Sequence, residues 1–172
     1  IITDHHLSQA EVPRAFAIIN PKQDGCEYPD KMLCGAGLAF KLVQALVKKY
    51  GEYWNIPVGF EKWLLDMAGL ATLADQGPLV NENRVLAYYG LKVLQKARRP
   101  GLAELFRKAG VDASKINEEA VTFTLAPRLN AASRMAHPMD AFEVLVTTDP
   151  VQAKVSADHL AKINDERKQN VA

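Results

Sequence analysis

Residues 1–20 read IITDHHLSQAEVPRAFAIIN, and this stretch decides the fold class. It holds two apolar, β-branched runs, Ile1–Thr3 and Ala15–Ile19. Turn-forming residues stop each run, Asp4 the first and Asn20-Pro21 the second. A short polar segment ending at Pro13 lies between them. Apolar strands separated by a crossover point to a parallel α/β sheet. Two strands alone make no independently stable sheet, so others are expected to complete it. Its open edge would need cover from a missing N-terminal half, another chain or a swapped copy.

The rest of the chain reads as helix almost throughout. KMLCGAGLAFKLVQALVKKYG (31–51) places Ala39, Leu42, Val43, Leu46 and Tyr50 on one face, with Gly51 as a stop. FEKWLLDMAGLATLAD (60–75) is apolar nearly all round, as a helix inside a core would be. NENRVLAYYGLKVLQKARRPG (81–101) starts at an Asn cap and ends at Pro100-Gly101. A short helix, LAELFRKAG, follows; then NEEAVTFTLAPRLNAASRMAHP, interrupted at Pro127, and MDAFEVLVTT. The tail from Asp149 has a thin apolar stripe (Val151, Val155, Leu160, Ile163), which suits a connecting helix better than a core helix. The expected class is therefore α/β, a parallel sheet flanked by helices, of which this chain supplies about two strands and mostly helix.

Bulk composition narrows the function. The 172 residues are 48% hydrophobic and 24% charged, the profile of a soluble globular protein with a buried core. A net charge of +1 carries no global basic excess, so nucleic-acid binding would need a local patch. No apolar run approaches the roughly 20 residues of a membrane span, and no secretory leader is recognisable, so no membrane partner is expected. Cys26 and Cys34 are too few for a disulfide framework and read as reduced thiols of a cytoplasmic protein. The start at Ile1 rather than Met suggests a piece of a longer sequence.

In open parallel sheets, functional groups collect beyond the carboxyl ends of the strands. Asp4, His5 and His6 stand at such an end. Carboxylate oxygen and imidazole nitrogen together suit borderline divalent ions such as manganese or zinc. Alternation along an extended segment would put Asp4 and His6 on one face and His5 elsewhere. Alone, the triplet reads first as a polar strand end with a capping Asp, and only second as part of a metal site. Asp75, in TLADQGPL, follows the most apolar helical segment. A negative charge at a helix C-terminus is unfavourable, so a compensating cation is expected nearby. LAPRLNAASRM holds Arg128 and Arg134, with Asn130 and small residues between them. Guanidinium forks match phosphate oxygens, although a solvated arginine pair is an equal reading. CGAGLAFK opens a helix whose free N–H groups suit a phosphate, but helix packing is the commoner use of such glycines. The basic run Lys92 to Arg99 reads as a solvated helix end.

Taken in order, ITDHHL, INPKQDGCEYPDKMLCGAGLAFKL, LATLADQGPLVNENRVLAYYGLKVL, RRPGL and LAPRLNAASRM resemble RecJ-type single-stranded-DNA exonucleases of the DHH phosphoesterase superfamily. The resemblance covers nearly the whole chain. It implies a 5′-to-3′ exonuclease acting on single-stranded DNA in recombination and repair, dependent on Mn2+ or Mg2+. The family's third motif falls on Asp4, His5 and His6, and its fourth metal-binding aspartate on Asp75. The resemblance makes Asp4, His5 and Asp75 metal ligands, whereas strand alternation would pair His6 with Asp4. Arg128, Asn130 and Arg134 would face the substrate. In such a site two divalent ions, roughly 3.5–4 Å apart, activate a water and stabilise the leaving oxygen.

Two residues depart from the family pattern: Ser133 stands where Gly is usual, and His137 where a small or acidic residue is usual. His137 reads as a surface histidine, with a cleft-facing imidazole as the alternative. The family also has strands carrying an Asp-x-Asp motif and a further Asp ahead of the triplet, and a second small domain after the tail helix. Residues 1–150 are thus expected to be the C-terminal half of the DHH catalytic domain, and 151–172 the start of the connecting helix. Such a piece, lacking half of the metal cage, is expected to be inactive alone. Alternatives are another DHH phosphodiesterase, cleaving short RNAs or cyclic dinucleotides, and a non-catalytic DHH scaffold.

Overall fold

The structure, a computed structural model, describes residues 1–9 and 11–171. It divides into two compact units, Ile1–Val93 and Leu94–Ala172.

In the first unit β1 (Ile2–Thr3) and β2 (Ile18–Ile19) pair in parallel, Ile2 opposite Ile18 and Thr3 opposite Ile19. Each strand is shorter than the apolar run that contains it. β1 and its run stop together at Thr3, and there the cause is local: the Asp4 carboxylate captures the next N–H groups, those of His5 and His6, and turns the chain. The last ladder bond runs from Asp4 N–H to Ile19 O at 3.0 Å.

Helix α1 (Gly35–Tyr50) starts where Cys34 Sγ accepts the Gly37 N–H at 3.4 Å. It buries Gly37, Leu38 and Phe40. The stripe expected from periodicity is not its core face: Ala39, Leu46 and Tyr50 are exposed, and Leu42 and Val43 only half-buried. Burial is confined to the first two turns, which enter a cluster of Leu33, Leu38, Phe40, Ala68 and Leu86. Beyond Lys41 the helix has lost that support.

A 3-10 turn, Phe60–Leu64, leads into α2 (Leu65–Ala74), which buries residues on all sides, as its composition predicts. It crosses α3 (Asn81–Leu94) at two glycines. A Cβ on Gly69 would lie 2.6 Å from the Gly90 Cα, and one on Gly90 would lie 2.7 Å from the Leu65 carbonyl oxygen. Backbone therefore meets backbone at this crossing. Asn83, almost fully buried, donates its amide to Met32 O (2.8 Å) and Pro78 O (3.2 Å). That ties the loop after α2 to the segment before α1. Beside it, Tyr28 Oη and Lys41 Nζ both donate to the Glu82 carboxylate, the lysine at 2.6 Å.

The second unit is helical: α4 (Pro100–Ala109), α5 (Ala126–Met135), α6 (Pro138–Val146) and α7 (Pro150–Val171). Gly110, at φ 68°, ends α4 in the left-handed conformation. A π-helical turn, Ala120–Leu125, precedes α5. Its wider winding accommodates Pro127, which has no N–H to give and whose ring would crowd the carbonyl of an ordinary preceding turn. Gly101 sits directly on the Val144 carbonyl, where no Cβ would fit. The tail helix α7 packs along α4, α5 and α6. Of the expected stripe, Leu160 and Ile163 are buried, whereas Val151 and Val155 are exposed. Ala153, Ser156, Ala157 and Asn164 complete the inner face. Small residues carry its first half, where the large apolar side chains lie beside it.

Candidate active site

The Asp4–His6 turn projects from the carboxyl end of β1, where the ladder stops. Asp4 Oδ1 accepts three donors: His5 N–H at 2.7 Å, His6 N–H at 3.3 Å and His6 Nδ1 at 2.8 Å. The His6 ring, followed by the two backbone N–H groups, holds the Asp4 carboxyl below the usual carboxylate range. Among the described residues nothing hydrogen-bonds to Asp4 Oδ2. One oxygen anchors the turn while the other stays available.

His5 points the other way. Its Nδ1 lies 3.7 Å from Oδ2 of Asp75, the residue that closes the C-terminal end of α2. The ring also passes the first turn of α1, where a Cβ on Gly35 would stand 3.7 Å from His5 Cδ2. The two imidazoles touch, with centroids 4.4 Å apart and planes inclined at 48°. Strand end, helix start and helix end thus converge on one histidine. The structure brings Asp4, His5, His6 and Asp75 together as two pairs, Asp4 with His6 and His5 with Asp75.

Carboxylate oxygens and an imidazole nitrogen are donors that manganese accepts, and the oxygens suit magnesium as well. The His5–Asp75 distance is too long for a hydrogen bond. It lies within the roughly 3–4 Å that separates two donors on one divalent ion, given ligand distances of about 2.0–2.2 Å. The donor chemistry fits such an ion, but the donor count does not complete a cage. Among the described residues no group of three or more His, Cys, Asp or Glu side chains is placed to hold a metal.

Arg128, Asn130 and Arg134 all lie on α5 in the second unit. Asn130 and Arg134, one turn apart, share an exposed face. Arg128 is half-buried and turned back, its Nη1 donating to Thr124 O at 2.6 Å. At 100° per residue the two arginines project roughly 120° apart, so they do not form one fork. Ser133 Oγ donates to its own helix at Asn130 O, 3.0 Å away. His137 is the N-cap of α6: its Nδ1 accepts the Met139 N–H at 3.2 Å, and Asp140 Oδ2 accepts the His137 N–H at 3.3 Å. That reciprocal cap, rather than a cleft, accounts for His137.

Two supporting residues escaped the sequence reading as site residues. Asn20 and Asn83 are both buried and hold the loops that carry His6 and Asp75. The signal for Asn20 is present in the sequence, as an Asn placed directly after an apolar strand and before Pro21.

Known proteins share this arrangement of elements. The profile of the DHH family, N-terminal domain, matches residues 1–72, which contain the Asp4–His6 turn, the start of α1 and most of α2. The single-stranded-DNA-specific exonuclease RecJ of Bacillus subtilis is 42% identical over 172 residues, all of this chain and 21% of that protein. Residues 1–72 match the DHH family, and the whole chain resembles RecJ proteins. RecJ of Escherichia coli is 37% identical over 98% of this chain, which spans 30% of that protein. A crystal structure of exonuclease RecJ bound to manganese superposes with a TM-score of 0.81 at 30% identity. It covers 97% of this chain and 40% of its own. RecJ of Thermus thermophilus in complex with Mn2+ gives 0.77 at 28% identity, over 94% of this chain and 23% of its own. The chain therefore spans 21% and 30% of the lengths of the two curated relatives described. The likeness supports the α/β reading, with helices predominating and two parallel strands.

Proposed function

We propose that this chain is part of a Mn2+- or Mg2+-dependent exonuclease that degrades single-stranded DNA from the 5′ end, in recombination and repair. The observation that carries the reading is His5 of the D-H-H triplet facing Asp75 across 3.7 Å, two donors from distant parts of the sequence. Likeness to RecJ proteins along the whole chain supports it. Asp4, through Oδ2, His5 and Asp75 are the metal ligands in this proposal. A full cage needs further ligands, and this chain spans only 21% of RecJ of Bacillus subtilis. When bound, two divalent ions would supply activation of the attacking water and stabilisation of the leaving oxygen.

The chain's own residues then have separable tasks. Asp4 and Asp75 bring negative charge to offset that of the ions. His6 fixes the orientation of the Asp4 carboxylate through Oδ1. Asn130 and Arg134 offer a hydrogen-bonding and a cationic group to the phosphate backbone, and Arg128 supports the turn that presents them. In domain terms, residues 1–150 belong to the C-terminal half of the DHH catalytic domain, and 151–172 begin the helix leading to a second domain. Among the described residues no helix is long and apolar enough to cross a membrane, and the proposed place of action is the cytoplasm.

The test is Asp4→Ala in the longer protein that contains this chain, assayed with Mn2+ and 5′-phosphorylated single-stranded DNA. Activity should fall to background; retained activity would overturn the assignment. Competition with short RNAs and cyclic dinucleotides identifies the substrate. Preferential cleavage of either would move the protein to another branch of the DHH superfamily.

A further inference from the structure

Beyond the ladder bond from Asp4 to Ile19, a side chain ties the Asp4–His6 turn at its far end. Asn20, 6% exposed and directly after β2, donates its side-chain Nδ2 to the His6 carbonyl at 2.8 Å. Its Oδ1 accepts the Lys22 N–H at 2.9 Å. The second bond fixes the orientation of the amide, because only the oxygen can accept from Lys22 and the nitrogen must then face His6. The loop behind Asn20 is itself anchored: Gln23 Nε2 donates to both Ile18 O and Asn20 O, each at 3.1 Å. The clamp is a buried group held from its own side as well as reaching across.

We infer that Asn20 is a positioning residue for the metal site. By gripping the His6 carbonyl it sets the turn in which Asp4 and His6 pair and His5 is left facing Asp75. The path is short. Asn20 fixes the His6 backbone, the His6 ring holds Asp4 Oδ1, and the same ring abuts His5, 4.4 Å away. Without the Asn20 donor the His6 carbonyl loses its partner, and the turn depends on the Asp4 bonds alone. Groups that orient ligands in this way typically change metal affinity by about 10–100-fold when removed. The inference rests on the proposed metal-dependent nuclease reading.

The experiment compares the longer parent protein with its Asn20→Asp and Asn20→Ser variants. The Asn20→Asp change keeps the size of the side chain and the acceptor for Lys22 N–H, and replaces the donor to His6 by a carboxylate oxygen. Its added negative charge would by itself draw a cation in, so a loss of affinity is not explained by charge. The Asn20→Ser change keeps an acceptor for the turn but leaves a side chain too short to reach His6, and it covers the case in which the Asn20→Asp variant misfolds. Free Mn2+ is followed by electron paramagnetic resonance, and the His5 and His6 ring protons by NMR in the metal-free protein. Thermal melting checks the fold. Expected are melting temperatures near that of the parent, shifted ring resonances, and Mn2+ binding about 10–100-fold weaker. Folded variants that bind Mn2+ as the parent does would overturn the role of Asn20. A parent that binds no Mn2+ would instead overturn the metal-site reading itself.

Discussion

At the residue scale, the Tyr28–Lys41–Glu82 cluster gives a prediction independent of catalysis. Burial pushes the Glu82 carboxyl up, but hydrogen bonds from Lys41 and Tyr28 outweigh it and leave the group below its ordinary range. The Glu82 hydrogen bond raises Lys41 against the opposing effect of burial. A carboxyl depressed on folding stabilises above its unfolded pKa of about 4.3, and that contribution is lost as pH falls through the folded value. A lysine raised on folding contributes below about pH 10.4 and loses its part as pH rises through the folded value. Glu82→Gln should therefore destabilise the protein to denaturant near neutrality, with the gap from the parent narrowing below about pH 4. A gap of the same size at acid and neutral pH would show that the effect is not the ion pair. His137→Ala, which removes the α6 cap, should lower stability by about 1 kcal/mol and leave nuclease activity of the longer protein intact.

At the element scale the crossing of α2 and α3 is the most sensitive point. In an exposed helix Gly→Ala is favourable by about 1 kcal/mol. At Gly69 or Gly90 the added methyl would meet the facing backbone, and each substitution should destabilise by about 3 kcal/mol in denaturant titrations. Because α2 carries Asp75 at its end, the same substitutions should weaken Mn2+ binding in any longer protein that still folds. What sequence could tell about the elements divides along physical lines. Ends governed by local chemistry are legible: Gly110 closes α4 through a left-handed residue, and Pro127 marks a break that takes the form of a π turn. Faces governed by distant partners are not. The core reaches only the first turns of α1, and α7 packs on Leu160 and Ile163 of its stripe but also on Ala153 and Ala157, small residues that carry no such signal. The site divides in the same way. His6 pairs with Asp4 as alternation would have it, but through the turn that the Asp4 carboxylate makes, whereas the approach of His5 to Asp75 joins positions 70 residues apart in the chain and follows from packing alone.

At the scale of the whole molecule, the 172-residue chain should not degrade 5′-phosphorylated single-stranded DNA in the presence of Mn2+. The facing pair His5 and Asp75 would leave most of the shell of a bound ion to water, and such a shell binds weakly. The longer protein assayed alongside should be active. Equal activity of the two would show that further ligands are dispensable.

The π-helical turn before α5 also sets a phase. One residue more than an α-helical turn requires is wound into Ala120–Leu125. Deleting a single residue, such as Thr122, and letting the segment relax to ordinary α winding would leave the exposed pair Asn130 and Arg134 pointing as before relative to the buried Val121, because the turn closes with one residue fewer. Ordinary α winding at the present length would instead swing the pair by roughly 100° about the helix axis. The direction of this face therefore depends on how the turn is wound, with no change in the residues that stand on it.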